Sequence, residues 1–225
     1  MDNLILVGAG GLAREVAEAV SASGRYRLLG IVDDDVSLHG TTVGDVPVLG
    51  GVDQLFWDRS SYVVVCTGMG RTRAAIVRLL AAHDIGPSRY GTVVHPSVQV
   101  PRSCFLGVGS VLLAQVAITA DAYVGRHVVA MPNVTVTHDD VISDYVTLCG
   151  GVSLAGSVTV GPGAYLGTNA SVRQGVRVGA ASTLGMGATL LEDLPDGETW
   201  VGVPARELVE RRTVLTLAPA LEVTS

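Results

Sequence analysis

Residues 142–160 read ISDYVTLCGGVSLAGSVTV, with an aliphatic side chain at every sixth place: Ile142, Leu148, Leu154 and Val160. Extended backwards, the same register passes through Val136, Ala130, Val124, Ile118, Leu112, Leu106, Val100 and Val94, and forwards through Leu166, Val172, Val178, Leu184 and Leu190. Sixteen of these seventeen positions are Val, Ile or Leu, and Ala130 is the exception. Four residues after each stands a second series, small or β-branched apart from Asp140 and Leu194. Glycine often follows the aliphatic position, as at Gly107, Gly125, Gly161, Gly167, Gly179 and Gly185. A fixed short period of this length is the signature of a solenoid. Each hexad is a short strand and a turn, too small to bury its own aliphatic residue, and stacked coils align those residues into one interior. The small residue is expected where the chain turns inward, and the glycines are expected to supply backbone angles that other residues resist.

Upstream of the repeats the pattern changes. Leu4 to Val7 is a continuous apolar run, as in a buried parallel strand, and enters Gly8-Ala9-Gly10-Gly11-Leu12-Ala13. Ala13 to Val20 carries apolar residues at helical spacing, with Arg14, Glu15 and Glu18 on the other face. A second strand, Leu28 to Val32, ends in Asp33-Asp34-Asp35; a third, Tyr62 to Cys66, ends in Thr67-Gly68-Met69-Gly70 before a helix over 71–83. Ligands of open α/β sheets sit beyond the carboxyl ends of the strands, and segments 8–13, 33–35 and 67–70 all lie there. The Gly-rich turn followed by a helix N-terminus presents N–H groups to an anion. The chain therefore divides into a Rossmann-like domain over 1–90, a repeat domain over 91–206 and a tail over 207–225.

Composition narrows the function. The net charge of −6 argues against a nucleic-acid partner, which needs a basic surface. All 15 basic residues are arginine, which excludes a Walker-A lysine, a Schiff base and the lysine of short-chain dehydrogenases. Cys66, Cys104 and Cys149 form no ligand-spaced pair, so a reduced, cytoplasmic protein is expected, with no metal site. The first residues enter a strand without a basic region or cleavage site, and Gly, Asp or Arg interrupts every apolar stretch, so neither a signal peptide nor membrane insertion is expected.

Chemistry is sought where the repeat is violated. Asp140 occupies an inward place otherwise held by small or apolar groups, and a buried carboxylate is costly unless hydrogen-bonded. Just before it, His138 and Asp139 fall in the turn portion of the hexad, where side chains face outward; an imidazole beside a carboxylate there has the makings of an oriented general base.

With these residues in place, the chain resembles the hexapeptide-repeat acyltransferases, and within them the sialic-acid O-acetyltransferase-like family of bacterial sugar N-acetyltransferases. That family includes the enzyme that acetylates a UDP-4-amino-sugar in bacillosamine synthesis. The resemblance runs from Leu4 to about Arg206: the Gly-rich turn, the Asp pair after the second strand, hexads from His95-Pro96, His138-Asp139, Leu154-Ala155-Gly156 and Gly202-Val203-Pro204-Ala205-Arg206. It implies that the repeats wind as a left-handed parallel β-helix and that the protein is a homotrimer with active sites between subunits. It also implies acetyl-CoA as co-substrate and a nucleotide-sugar as acceptor. His138 matches the catalytic base and Asp139 the acidic neighbour that raises its basicity. Gly156, one 18-residue coil beyond His138, matches a glycine whose N–H faces the acetyl thioester, with Thr147, Thr168 and Met186 lining the acetyl-CoA groove. Gly8, Gly10, Gly11, Leu12, Asp33, Asp34 and Gly68 match the nucleotide-sugar pocket. The family often has His where this chain has Leu12 and Thr147. The expected reaction is N-acetylation of a nucleotide-linked amino-sugar, and O-acetylation of a sugar hydroxyl, with the same base and groove, is the alternative. An NAD-dependent enzyme would need a hydride-transfer domain for which the hexads leave no room. A γ-class carbonic anhydrase would need three His around one metal, whereas His95, His127 and His138 are spaced by 32 and 11.

Overall fold

A computed structural model of the chain describes residues 1–58 and 60–209. The first domain is a parallel sheet extended by a hairpin. Its strands are β1 (Asp2–Val7), β2 (Tyr26–Val32), β3 (Thr42–Val43), β4 (Val46–Gly50) and β5 (Tyr62–Val65), in the spatial order β3-β4-β2-β1-β5. The helices are α1 (Gly11–Ser23), α2 (Gln54–Trp57) and α3 (Gly70–Ala81). Alternation along β1 explains the layering. Leu4 and Leu6 pack with Ala13, Val16 and Val20 of α1, whereas Ile5 and Val7 share a cluster with Leu55 of α2 and Leu80 of α3. The elements run slightly longer or shorter than the sequence pattern indicates. Helix α1 starts in the glycine turn itself and closes on Gly24, at φ 59°, whose N–H donates to Val20 O.

From Val93 on, the chain is a left-handed parallel β-helix of two-residue strands. Through the coils the strands pair with those 18 residues before and after, as Val129 does with Val111 and Thr147, and at the end Thr183 pairs with Thr199, 16 residues on. Three faces result. The first carries Val93–Val94, Val111–Leu112, Val129–Ala130, Thr147–Leu148 and Tyr165–Leu166; the second carries Ala117–Ile118, Thr135–Val136, Ser153–Leu154 and Ser171–Val172; the third carries Phe105–Leu106, Tyr123–Val124, Val141–Ile142 and Thr159–Val160. The aliphatic register fills the interior, with Ile142, Leu148, Leu154, Val160 and Leu166 fully buried. Val100, followed by Pro101 with no N–H to donate, is the one register position outside a strand.

The turn glycines act differently from expectation. Positive φ recurs three residues after the aliphatic position, at Gln115, Asp121, His127, Asn133, Asp139 and Tyr145 as well as at Gly151 and Gly163. The glycines directly after the aliphatic position do not share it. They are small because the next coil crosses close by: a Cβ on Gly161 would lie 2.6 Å from Ala180 N, and one on Gly167 would lie 2.6 Å from Met186 N.

Helix α1 is clamped between the sheet and the first face, where Val93, Val111, Leu113 and Val129 join its apolar cluster. Of the tail expected over 207–225, residues 210–225 lie outside the described residues, and Arg206–Glu207 forms a strand antiparallel to Thr199–Val201. Among the described residues no helix is long and apolar enough to cross a membrane.

Candidate active site

His138 lies on the edge between the second and third faces, in the turn from Thr135–Val136 to Val141–Ile142. Asp139, in the left-handed conformation at φ 61°, places its carboxylate beside the imidazole, and Oδ2 is 2.8 Å from His138 Nδ1. Both side chains are more than half exposed. The coil above stacks through Ser157 N–H, which donates to His138 O at 2.9 Å. The imidazole lies directly over Gly156: any Cβ there would collide with Cε1 and Nε2. No carbonyl among the described residues accepts from the Gly156 N–H.

Beneath this pair, Asp140 is fully buried. Its Oδ2 accepts from Thr137 N–H at 2.7 Å and its Oδ1 from Val158 N–H at 2.8 Å. Burial pushes its carboxyl above the usual range, opposed by these two bonds.

The second group of expected residues gathers at the carboxyl edge of the first domain's sheet. Gly8 has φ 97° and donates to Val32 O, and a Cβ there would press on Thr67 Cγ2. Asp33 ties the turn together, with Oδ2 accepting from Ala9 N–H at 2.7 Å and Oδ1 from Asp35 N–H at 2.9 Å. Asp34 faces the next connection, where Oδ1 accepts from Val52 N–H. A cleft of about 370 Å³ opens at Gly10 and Gly11, lined also by Thr42, Gly44 and Arg14, its one cation. At the start of α1, the N–H groups of Gly11 and Leu12 have no backbone acceptor among the described residues, whereas Ala13 N–H donates to Gly10 O at 3.1 Å. Across α1, a wider cleft of about 800 Å³ runs to the edge between the first and second faces, lined by Glu15, Glu18, His95, Asn133, Thr168 and Asn169. Met186, one coil beyond Thr168, is 79% exposed on that edge.

One chain therefore brings His138, Asp139 and Gly156 together, and separately Gly8, Gly10, Gly11, Asp33 and Gly68. It does not bring the two groups to each other. The first domain covers the first face, and His138 stands on the edge opposite that face.

Residues 3–80 match the family model described as the PglD N-terminal domain. A search of curated proteins finds no match. Among solved structures, a histidine-to-asparagine variant of perosamine N-acetyltransferase from Caulobacter crescentus, in complex with CoA and GDP-perosamine, is 32% identical; the match covers 93% of this chain and 98% of that one, with a TM-score of 0.86. The chain belongs to the hexapeptide-repeat sugar N-acetyltransferases. The acetyltransferase domain of PglB from Neisseria gonorrhoeae, solved in complex with acetyl coenzyme A, is also 32% identical, over 92% of this chain and 99% of that one, at a TM-score of 0.84. WeeI from Acinetobacter baumannii is 26% identical over 91% and 99%, at 0.80.

Two residues expected to meet ligands in this acyltransferase are placed elsewhere. Thr147 is no groove residue: it is on the covered first face, fully buried, and its hydroxyl donates to Gly68 O at 2.7 Å and accepts from Arg73 Nη2 at 2.9 Å. The Leu12 side chain is 8% exposed and packs in the cluster that holds Val111 and Val129, so only its backbone is left to face a nucleotide-sugar. Arg73 escaped the sequence reading. It sits on the apolar stripe of α3 with Ile76, Val77 and Leu80, at spacings of three, four and seven, and that placement was the available signal.

Proposed function

We propose that the protein transfers an acetyl group from acetyl-CoA directly to an amino group of a nucleotide-linked amino-sugar, with His138 as general base. What carries the reading is the stack of His138, Asp139 and Gly156. With Nδ1–H donated to Asp139, the Nε2 lone pair is free on the side of Gly156. The sugar amine adds to the thioester carbonyl and passes a proton to Nε2. The Gly156 N–H, with no internal acceptor, hydrogen-bonds the oxyanion; such a donor is typically worth about 3–4 kcal/mol. The C–S bond then breaks, and the imidazolium returns its proton to the leaving thiolate, giving the amide and CoA-SH. Thr168 and Met186 flank the acetyl-CoA, and Gly8, Gly10, Gly11, Asp33 and Gly68 frame the nucleotide-sugar at the N-terminus of α1.

Because base and sugar pocket lie on opposite sides of one chain, we assign the active site to the junction between copies in a homotrimer. The third face supports this. Phe105, Tyr123 and Val141 stack there, each more than 40% exposed, the two rings 4.9 Å apart and nearly parallel. We assign the units to 1–90 and 91–206 and the reaction to the cytoplasm, where the free thiols Cys66, Cys104 and Cys149 stay reduced.

The test is thiol release from acetyl-CoA with a panel of 3-amino and 4-amino nucleotide-sugars. Turnover is expected with at least one of them, and His138→Ala should lose about 100-fold or more. Full activity in that variant overturns the base assignment, and an active monomer in light scattering overturns the site between copies.

A further inference from the structure

The turn that carries His138 differs from the other turns of the solenoid in its backbone hydrogen bonds. Elsewhere on the second face, the residue after the aliphatic position donates to the coil above: Thr119 to Val136 O, Ala155 to Val172 O and Arg173 to Leu190 O. Thr137 does not. Its N–H turns inward to Asp140 Oδ2, and its hydroxyl reaches Leu154 O instead, at 3.1 Å. The strand pairing shows the same break: Thr135–Val136 pairs with the next coil only at Thr135↔Ser153, whereas the neighbouring coils pair at both residues.

On the same edge one coil up, the N–H of Val158 goes down to Asp140 Oδ1, whereas that of Val176 donates to Arg173 O, three residues earlier. The N–H groups of Ala122 and Val128 also go down a coil, to Cys104 Sγ and Ser110 Oγ, but neither of those side chains takes a second backbone N–H. Two N–H groups, one from each of two consecutive coils, thus converge on one buried carboxylate. One of them directly precedes His138, and the other lies two residues after Gly156.

We propose that Asp140 is a positioning residue for acyl transfer, holding the His138 turn and the Gly156 turn in the relative placement that sets the imidazole over the glycine. This rests on His138 being the base. The fold does not need the carboxylate at this register, since Ser110, Ala122 and Val158 fill equivalent inward places. Each of those is cheaper to bury than an ionised carboxylate. A group kept at a cost to burial, in the one hexad that carries the His-Asp pair, is explained by what it orients. Ser110 does a related job at one end only, accepting from Val128 N–H while donating to Gly125 O. Asp140 is the acceptor-only version that captures two N–H groups at once.

The experiment compares Asp140→Asn, Asp140→Ser, His138→Ala and the double variant His138→Ala/Asp140→Ser by thiol release with a turned-over nucleotide-sugar. Asparagine keeps the shape but can accept from only one of the two N–H groups, and serine is tolerated at this register by the solenoid itself. We expect kcat to fall about tenfold in Asp140→Asn and further in Asp140→Ser, with KM for acetyl-CoA within about twofold of the parent. In the His138→Ala background Asp140→Ser should cost nothing more, because its effect passes through the imidazole. Unchanged kcat in both single variants overturns the proposal. So does a drop of equal size with and without His138, which is the mark of a residue that only supports the fold. Full activity of His138→Ala overturns the base assignment instead, so the two failures are distinguishable.

Discussion

Replacing Arg73 tests how the two domains are held together. Its guanidinium is fully buried, with no carboxylate partner among the described residues. Nε donates to His127 O at 2.9 Å; Nη1 to Thr67 O at 2.6 Å and Gly68 O at 3.0 Å; Nη2 to Tyr145 O, Val146 O and Thr147 Oγ1, each at 2.9 Å. Burial pulls its pKa from the ordinary arginine range down to about 10, so it stays charged at neutral pH at a desolvation cost of about 3 kcal/mol. Arg73→Met keeps the aliphatic stem and relieves that cost. It also strips the donor from Thr67 O, His127 O and Tyr145 O, none of which accepts from another backbone N–H among the described residues. At about 2 kcal/mol for each orphaned carbonyl the loss is about 6 kcal/mol, so a net destabilisation of about 3 kcal/mol is expected. Gly68 O and Val146 O retain Thr147 Oγ1 and Val129 N–H, so they add little.

The assay is equilibrium urea unfolding at fixed protein concentration, with hydrogen exchange read separately in α3 and in the 67–70 connection. Thr147→Val, which removes one hydroxyl from the same cluster and orphans no carbonyl, should cost only about 1 kcal/mol. In Arg73→Met the 67–70 connection loses its anchor at Thr67 O and keeps only that from Thr147 to Gly68 O, so KM for the nucleotide-sugar should rise while kcat at saturation holds, because His138 stands on the opposite edge. A loss below about 1 kcal/mol with unchanged protection in α3 would refute the reasoning, since the apolar contacts of α1 would then suffice to join the domains.

Gly156→Ala should cut kcat about 100-fold or more with little change in thermal midpoint, because the added methyl meets the imidazole and not the backbone; near-normal kcat would mean that His138 works from another position. His127 is buried between Tyr90 and Tyr145, and burial, then the nearby Arg73, lowers its pKa to about 4. The folded pKa lies below the ordinary 6.5, so the unfolded chain binds the extra proton first and stability falls as pH drops from about 6.5 to 4, by up to about 3 kcal/mol. His127→Asn, which suits the left-handed backbone at 127, should flatten that part of the pH dependence of the urea midpoint; an unchanged slope would exonerate the imidazole.

Much of the architecture was legible because it rests on repetition. The sixfold register identifies the interior residues of every coil, and the strand-end glycines and aspartates identify the edge of the first sheet. Periodicity treats each residue by its place in a pattern, however, and cannot tell which neighbour fills the space above it. The glycines after the aliphatic position illustrate this. Sequence reading expects them to relax the backbone, whereas the structure uses their missing Cβ to let the next coil pass, and the left-handed angles fall two residues later on Gln115, His127 and Tyr145. Thr147 rests on a resemblance at a position where the family often has His, and a resemblance does not say what covers the side chain; here α3 does, through Arg73.

Arg73 and Asp140 share a lesson about polar residues in apolar patterns. One stands on the buried stripe of a helix and the other on the inward register of a solenoid, and neither has an ion partner among the described residues. Each is satisfied mainly by backbone groups that have no other partner among the described residues, Gly68 O and Val146 O being the exceptions. Arg73 collects carbonyls from two domains and Asp140 collects N–H groups from two coils, so each fixes a relation between segments that hydrophobic packing alone leaves free to slide. The division of labour follows from the sign of the charge. Turn carbonyls at the domain junction call for a cation, whereas the N–H groups of consecutive coils call for an anion. A lysine-free chain has arginine as its only strong cation, and its planar fork can reach six acceptors from one buried position, which a compact ammonium with three donors cannot.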